Sequence, residues 1–166
     1  MRDTAATIRE AFDGVPLPKT IRTIAPHECP ECNDLAEALL GHPYHSLQKS
    51  VVDSFYEALP LLSPQALHHY LPAWLLRALE NPSGDVMEFT IYHLSPSQKN
   101  IAKSKVYFEE RFAVFDSAQR MAIASFFLDV EEFQLWTGYE GELERAKALW
   151  SDSKSFHNAY GTQTSD

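Results

Sequence analysis

The sequence predicts an all-α fold: a compact single-domain bundle of about six to eight helices, some of them short and broken by proline. Apolar residues recur at three- and four-residue steps through most of the chain. Proline and capping residues punctuate those runs at helix-length intervals, and only one stretch alternates as a strand would. A lone strand has nothing to pair with.

In chain order, Ile8 and Phe12 mark the first helical face, and Val15-Pro16-Leu17-Pro18 ends it, because proline lacks the amide donor and holds its predecessor extended. An extended connection to about Pro26 follows. Pro30 suits a first helical turn, and Leu35 and Leu39 carry that helix to Gly41. Ser46 is the expected cap of the next helix, with Leu47, Val51, Phe55 and Leu59 as its buried stripe before Pro60. Ser63-Pro64 opens another helix by the same cap-plus-proline logic. Residues 66–79 are interrupted by Pro72 and read as two short helices or one kinked helix.

Asn81-Pro82-Ser83-Gly84 is a turn cluster, and residues 86–94 are the alternating stretch, expected to be irregular or helical. Phe108, Phe112 and Phe115 form a further helical stripe. Asp116 or Ser117 caps a long helix carrying Ala118, Ala122, Phe126, Val130 and Phe133. Tyr139, Leu143, Ala146 and Trp150 define the last helix. The expected organisation is one helical domain over residues 1–150 and a polar, frayed tail over 151–166.

The chain has 166 residues and a formal net charge of −9. Such a surface repels a phosphate backbone. The densest basic group, Lys99, Lys103 and Lys105, is followed at once by Glu109 and Glu110, so no nucleic acid is expected and a basic protein is the natural charged partner. No apolar run has the length of a signal peptide or membrane span, which points to the cytoplasm and no membrane.

Only His27, Cys29 and Cys32 are grouped as chemistry would group them, in a His-x-Cys-x-x-Cys segment at a helix start. Thiolate and imidazole are the ligands zinc prefers, so these three are candidate metal ligands and zinc the candidate cofactor. Tetrahedral zinc needs a fourth ligand, and His42, His45, His68, His69 and His93 are all available. A second reading is redox: the helix dipole stabilises a thiolate at this position, although Glu28, Glu31 and Asp34 oppose it. A third is packing of three side chains between the first two helices.

The patterns of other known chemistries fail. A nucleoside deaminase separates its histidine from its Pro-Cys-x-x-Cys, whereas here they share one turn. His27-Glu28 lacks the second histidine of a zinc peptidase, and no GxSxG, P-loop or GxGxxG occurs. For His68 and His69 the expectation is a surface position or a hydrogen-bonded core position, and the aromatic stretch 70–74 is expected in the core.

Residues 8–12 (Ile-Arg-Glu-Ala-Phe), 15–18 (Val-Pro-Leu-Pro), 27–32 (His-Glu-Cys-Pro-Glu-Cys), 61–66 (Leu-Leu-Ser-Pro-Gln-Ala) and 70–75 (Tyr-Leu-Pro-Ala-Trp-Leu) follow in this order. Together they resemble a family of short bacterial proteins known only as a domain of unknown function. The resemblance implies a small bacterial cytoplasmic protein in which His27, Cys29 and Cys32 belong to the family pattern. It implies no activity. The function expected is that of a non-enzymatic interaction domain, immunity-like or regulatory, with a structural His-Cys-Cys group. The alternative is a metal-dependent or thiol-based enzyme centred on Cys29 and Cys32.

Overall fold

A computed structural model describes residues 3–95, 101–132 and 141–151, with backbone alone at 101–105. The expected tail beyond Ser151, and Phe133, Thr137, Gly138 and Tyr139, lie outside the described residues. Among these residues the structure is all-α: α1 (Thr4–Ala11), α2 (Ile21–Ile24), α3 (Pro30–Leu39), α4 (Lys49–Ser54), α5 (Pro64–Glu80), α6 (Asp85–Leu94), α7 (Ile101–Phe112), α8 (Ser117–Glu132) and α9 (Glu142–Ser151), with 3-10 turns at Tyr44–Ser46 and Leu59–Leu61.

The helices start where short polar side chains can take up free amides. Asp3 accepts from the Ala6 amide at 2.9 Å, and Ser63 accepts from the Ala66 amide at 3.0 Å. Asp116, rather than Ser117, caps α8. Its carboxylate accepts the Gln119 amide at 2.9 Å while the Gln119 side chain accepts the Asp116 amide at 3.0 Å, a reciprocal capping box.

α5 is the hub. It packs against α1, α2, α4, α6, α7, α8 and the first 3-10 turn, and buries Tyr70, Leu71, Trp74, Leu75 and Ala78 completely. The expected core position of the stretch 70–74 is therefore observed. The helix runs unbroken through Pro72, which is itself buried. One apolar cluster extends from Ile8 on α1 and Phe12 at its C-cap to Leu149 and Trp150 on α9. The Trp150 indole donates to the Leu94 carbonyl at 3.0 Å and ties the last helix to the end of α6.

Three expectations are corrected. The connection after Pro18 is interrupted by α2, where Thr20 and Thr23 bond each other's amides in a capping box. Ser46 does not cap a helix: it closes a 3-10 turn and donates to the Pro43 carbonyl at 3.0 Å. The next helix starts only at Lys49, buries Val52 alone, and ends before Phe55 and Leu59. The cause is tertiary. The Tyr44 amide is held by the His69 ring, which fixes the chain in the turn, and the β-branched pair Val51-Val52 propagates a helix poorly. Residues 86–94, expected to be irregular or helical, are helical, because Val86, Met87, Thr90, Ile91 and Leu94 all reach the core from one helix face.

Candidate functional site

The His-x-Cys-x-x-Cys segment joins α2 to α3. Arg22 on α2 reaches across the connection, donating from Nη1 to the His27 carbonyl at 3.1 Å and from Nη2 to Glu28 Oε1 at 2.8 Å. Behind it, Ser63 donates to the Thr23 carbonyl at 2.6 Å and its amide donates to the Ile24 carbonyl at 2.8 Å, which holds the end of α2 on the start of α5. The segment is thus anchored on both sides.

Cys29 is the N-cap of α3, and Pro30 occupies the first helical position, where its missing amide costs nothing. The sulfurs of Cys29 and Cys32 lie at disulfide distance, with their Cα atoms 5.2 Å apart. The Cys29 sulfur also accepts the Cys32 amide at 3.2 Å. Cys32 is buried with Leu35, Ala36 and Leu39, whereas Cys29 is half-buried and His27 is exposed.

Sequence proximity brings His27, Cys29 and Cys32 into one segment, but the structure pairs only the two sulfurs with each other. Among the described residues no group of three or more His, Cys, Asp and Glu side chains converges as metal ligands do. Two of the histidines available as a fourth ligand, His68 and His69, have other company. His68 is 2.9 Å from Gln119 Oε1, and its ring meets Phe12 and Phe115 edge-on. His69 is buried in the core, with Nδ1 2.9 Å from the Val15 carbonyl and Nε2 accepting the Tyr44 amide at 3.3 Å. Those two bonds specify one neutral tautomer, and burial depresses the basicity of the ring.

α3 has a second property. Its outward side carries Glu31, Asp34 and Glu37 at three-residue steps, all exposed, and the helix contains no basic residue. Among the described residues no ion pair engages any of the three.

A buried charged group that the sequence reading did not anticipate is Arg111. The Arg111 guanidinium is 9% exposed and donates to the Leu62 carbonyl at 2.6 Å and the Leu59 carbonyl at 2.7 Å, capping the second 3-10 turn, while its plane lies 5.0 Å from the Tyr107 ring centre. Beside it stands His93, whose pKa burial pushes down to about 4. Among the described residues, Arg111 Nε and His93 Nε2 have no hydrogen-bond partner. The signal was present in the sequence: Arg111 follows Phe108 by three positions and so falls on the apolar face of its own helix.

The chain matches the family of unknown function DUF6714 over residues 1–153. It belongs to that family. The matched span contains every helix described above together with His27, Cys29 and Cys32. No curated protein and no solved structure matches the chain.

Proposed function

We propose that this DUF6714 protein is a non-enzymatic interaction module, of a regulatory or immunity-like kind, that presents the acidic face of α3 to a basic protein. The observation that carries this reading is the arrangement of Glu31, Asp34 and Glu37 on the solvent side of a helix whose other side is sealed in the core. Helix stability does not account for it. Like charges three residues apart destabilise a helix by a few tenths of a kcal/mol each, and Glu37 stands near the C-terminus, where the dipole disfavours an anion.

With no cation among the described residues paired to them, the three carboxylates project a local negative field on a chain already at −9. Such a field raises association rates with a positively charged surface and is screened by salt. Cys29 and Cys32 serve this reading structurally, by fixing the first turn of the presenting helix.

The test compares two triple neutralisations of equal charge. One is Glu31→Gln with Asp34→Asn and Glu37→Gln; the other is Glu10→Gln with Asp13→Asn and Glu88→Gln. Lysozyme, a small basic protein, is the probe in titration calorimetry at low salt. The α3 variant is expected to bind at least about tenfold more weakly, a loss of about 1.4 kcal/mol, and the control variant to retain most of its affinity. Equal losses in both, or no measurable binding by the unaltered protein, contradict the proposal.

A further inference from the structure

The two sulfurs at the head of α3 have unequal surroundings. Cys32 is 1% exposed and belongs to the apolar core, whereas Cys29 packs against that core from its half-open edge. Cys29 also receives the Cys32 amide at 3.2 Å. An amide donor and the positive end of the helix dipole both favour a thiolate there. Glu28 and Glu31 oppose it, but the Arg22 guanidinium pairs with Glu28 at 2.8 Å and holds the connection in front of Cys29.

We propose that Cys29 and Cys32 form a reversible dithiol–disulfide couple, with Cys29 as the attacking sulfur, that exchanges with small thiols and disulfides from solvent. In the oxidising direction the Cys29 thiolate attacks one sulfur of an external disulfide RSSR, expels RS⁻ and forms the mixed disulfide Cys29–S–S–R. The Cys32 thiol gives its proton to water and attacks the Cys29 sulfur, which expels the second RS⁻ and closes the internal bond. The protein loses two electrons, and RSSR gains them as two thiols. Two molecules of RSH run the steps backwards. The order of attack follows from access: a solvent-borne disulfide reaches the edge position of Cys29 and not the interior position of Cys32.

Glutathione and its disulfide are the probe. The whole protein is equilibrated at graded ratios of the two, quenched with acid and resolved by mass. The expected result is a two-electron transition between disulfide and dithiol, with any glutathione adduct mapping to Cys29. Cys32→Ser should accumulate one glutathione on Cys29, and Cys29→Ser should acquire less than about a tenth as much on Cys32 in the same time. Because either replacement alters the start of α3, a second measurement uses the unaltered reduced protein. Limiting iodoacetamide followed by peptide mapping should label Cys29 at least about tenfold faster than Cys32. Equal labelling, faster labelling of Cys32, or a disulfide that no glutathione ratio moves overturns the proposal.

Discussion

The Tyr70 hydroxyl donates to the Leu39 carbonyl at 2.7 Å, so the last turn of α3 is closed by a buried side chain of α5. Burial without any charged neighbour raises the Tyr70 pKa to about 12, and the group remains a donor across the whole working pH range. With the cysteine pair at one end and Tyr70 at the other, α3 is held at both termini. Tyr70→Phe removes this donor and leaves the carbonyl with the His42 amide at 3.1 Å as its remaining partner, and is expected to cost about 0.5–1.5 kcal/mol in urea denaturation. An unchanged denaturation midpoint would show that the His42 amide alone satisfies the Leu39 carbonyl.

Arg111 acts similarly on the second 3-10 turn, with one guanidinium answering two carbonyls. Arg111→Met keeps much of the apolar stem but removes the guanidinium donor from both carbonyls, leaving the Leu59 carbonyl to the Leu62 amide at 3.4 Å, for an expected loss of about 2–4 kcal/mol. Arg111→Lys should recover only part of this, because an ammonium cannot reproduce the planar fork. Equal stability of the two variants would remove the geometric explanation.

His93 makes stability depend on pH. Burial is the main cause of its lowered pKa; the nearby Glu57 works against that shift and Arg111 adds to it. The folded state holds the ring neutral down to about pH 4, whereas the unfolded chain takes up the proton near 6.5. Between those values the unfolded state binds more protons, so stability is complete above 6.5 and falls as pH drops towards 4, by about 3 kcal/mol from this group. Asp53, whose carboxyl is held down by its hydrogen bond to Arg77, loses its contribution only below the ordinary carboxylate range. Urea midpoints of the unaltered protein and of His93→Gln, measured from pH 7 to pH 4.5, should show the unaltered protein losing stability relative to the variant as pH falls. Parallel curves would contradict the assignment.

Reduction of the Cys29–Cys32 bond opens a very short loop, with its ends three residues apart, and chain entropy assigns such a closure about 2 kcal/mol. A reductant should therefore lower Tm by about 4–8 °C without unfolding the protein. Zinc in the oxidised protein should stay below about 0.1 equivalents, since both sulfurs are bonded to each other and are not available as thiolates. Stoichiometric zinc in protein purified with reductant would instead support the His27, Cys29 and Cys32 metal site.

Much of the helical order was legible because it rests on local chemistry. Ser63-Pro64 and Cys29-Pro30 begin helices in the sequence and in the structure, and the Phe126 and Val130 stripe lies in the core. What was illegible was set at long range. Ser46 looks like a cap, but the bond from the Tyr44 amide to His69, 25 residues away, fixes a turn there. The short α2 over Ile21–Ile24 is likewise built into a connection that reads as extended. The candidate site was visible as three residue types in a row. Their unequal burial, and the acidic side of the helix they precede, required the packing of α3 against its neighbours.

The presentation of α3 is tested most directly by a titration of isotopically labelled protein with lysozyme at low salt, followed by amide chemical shifts. Perturbations are expected to concentrate on Glu31, Asp34, Glu37 and their immediate neighbours, and to be lost in the α3 triple variant. Shifts spread evenly over the acidic residues of α1, α6 and α8, with α3 no more affected than the rest, would contradict the presentation of α3.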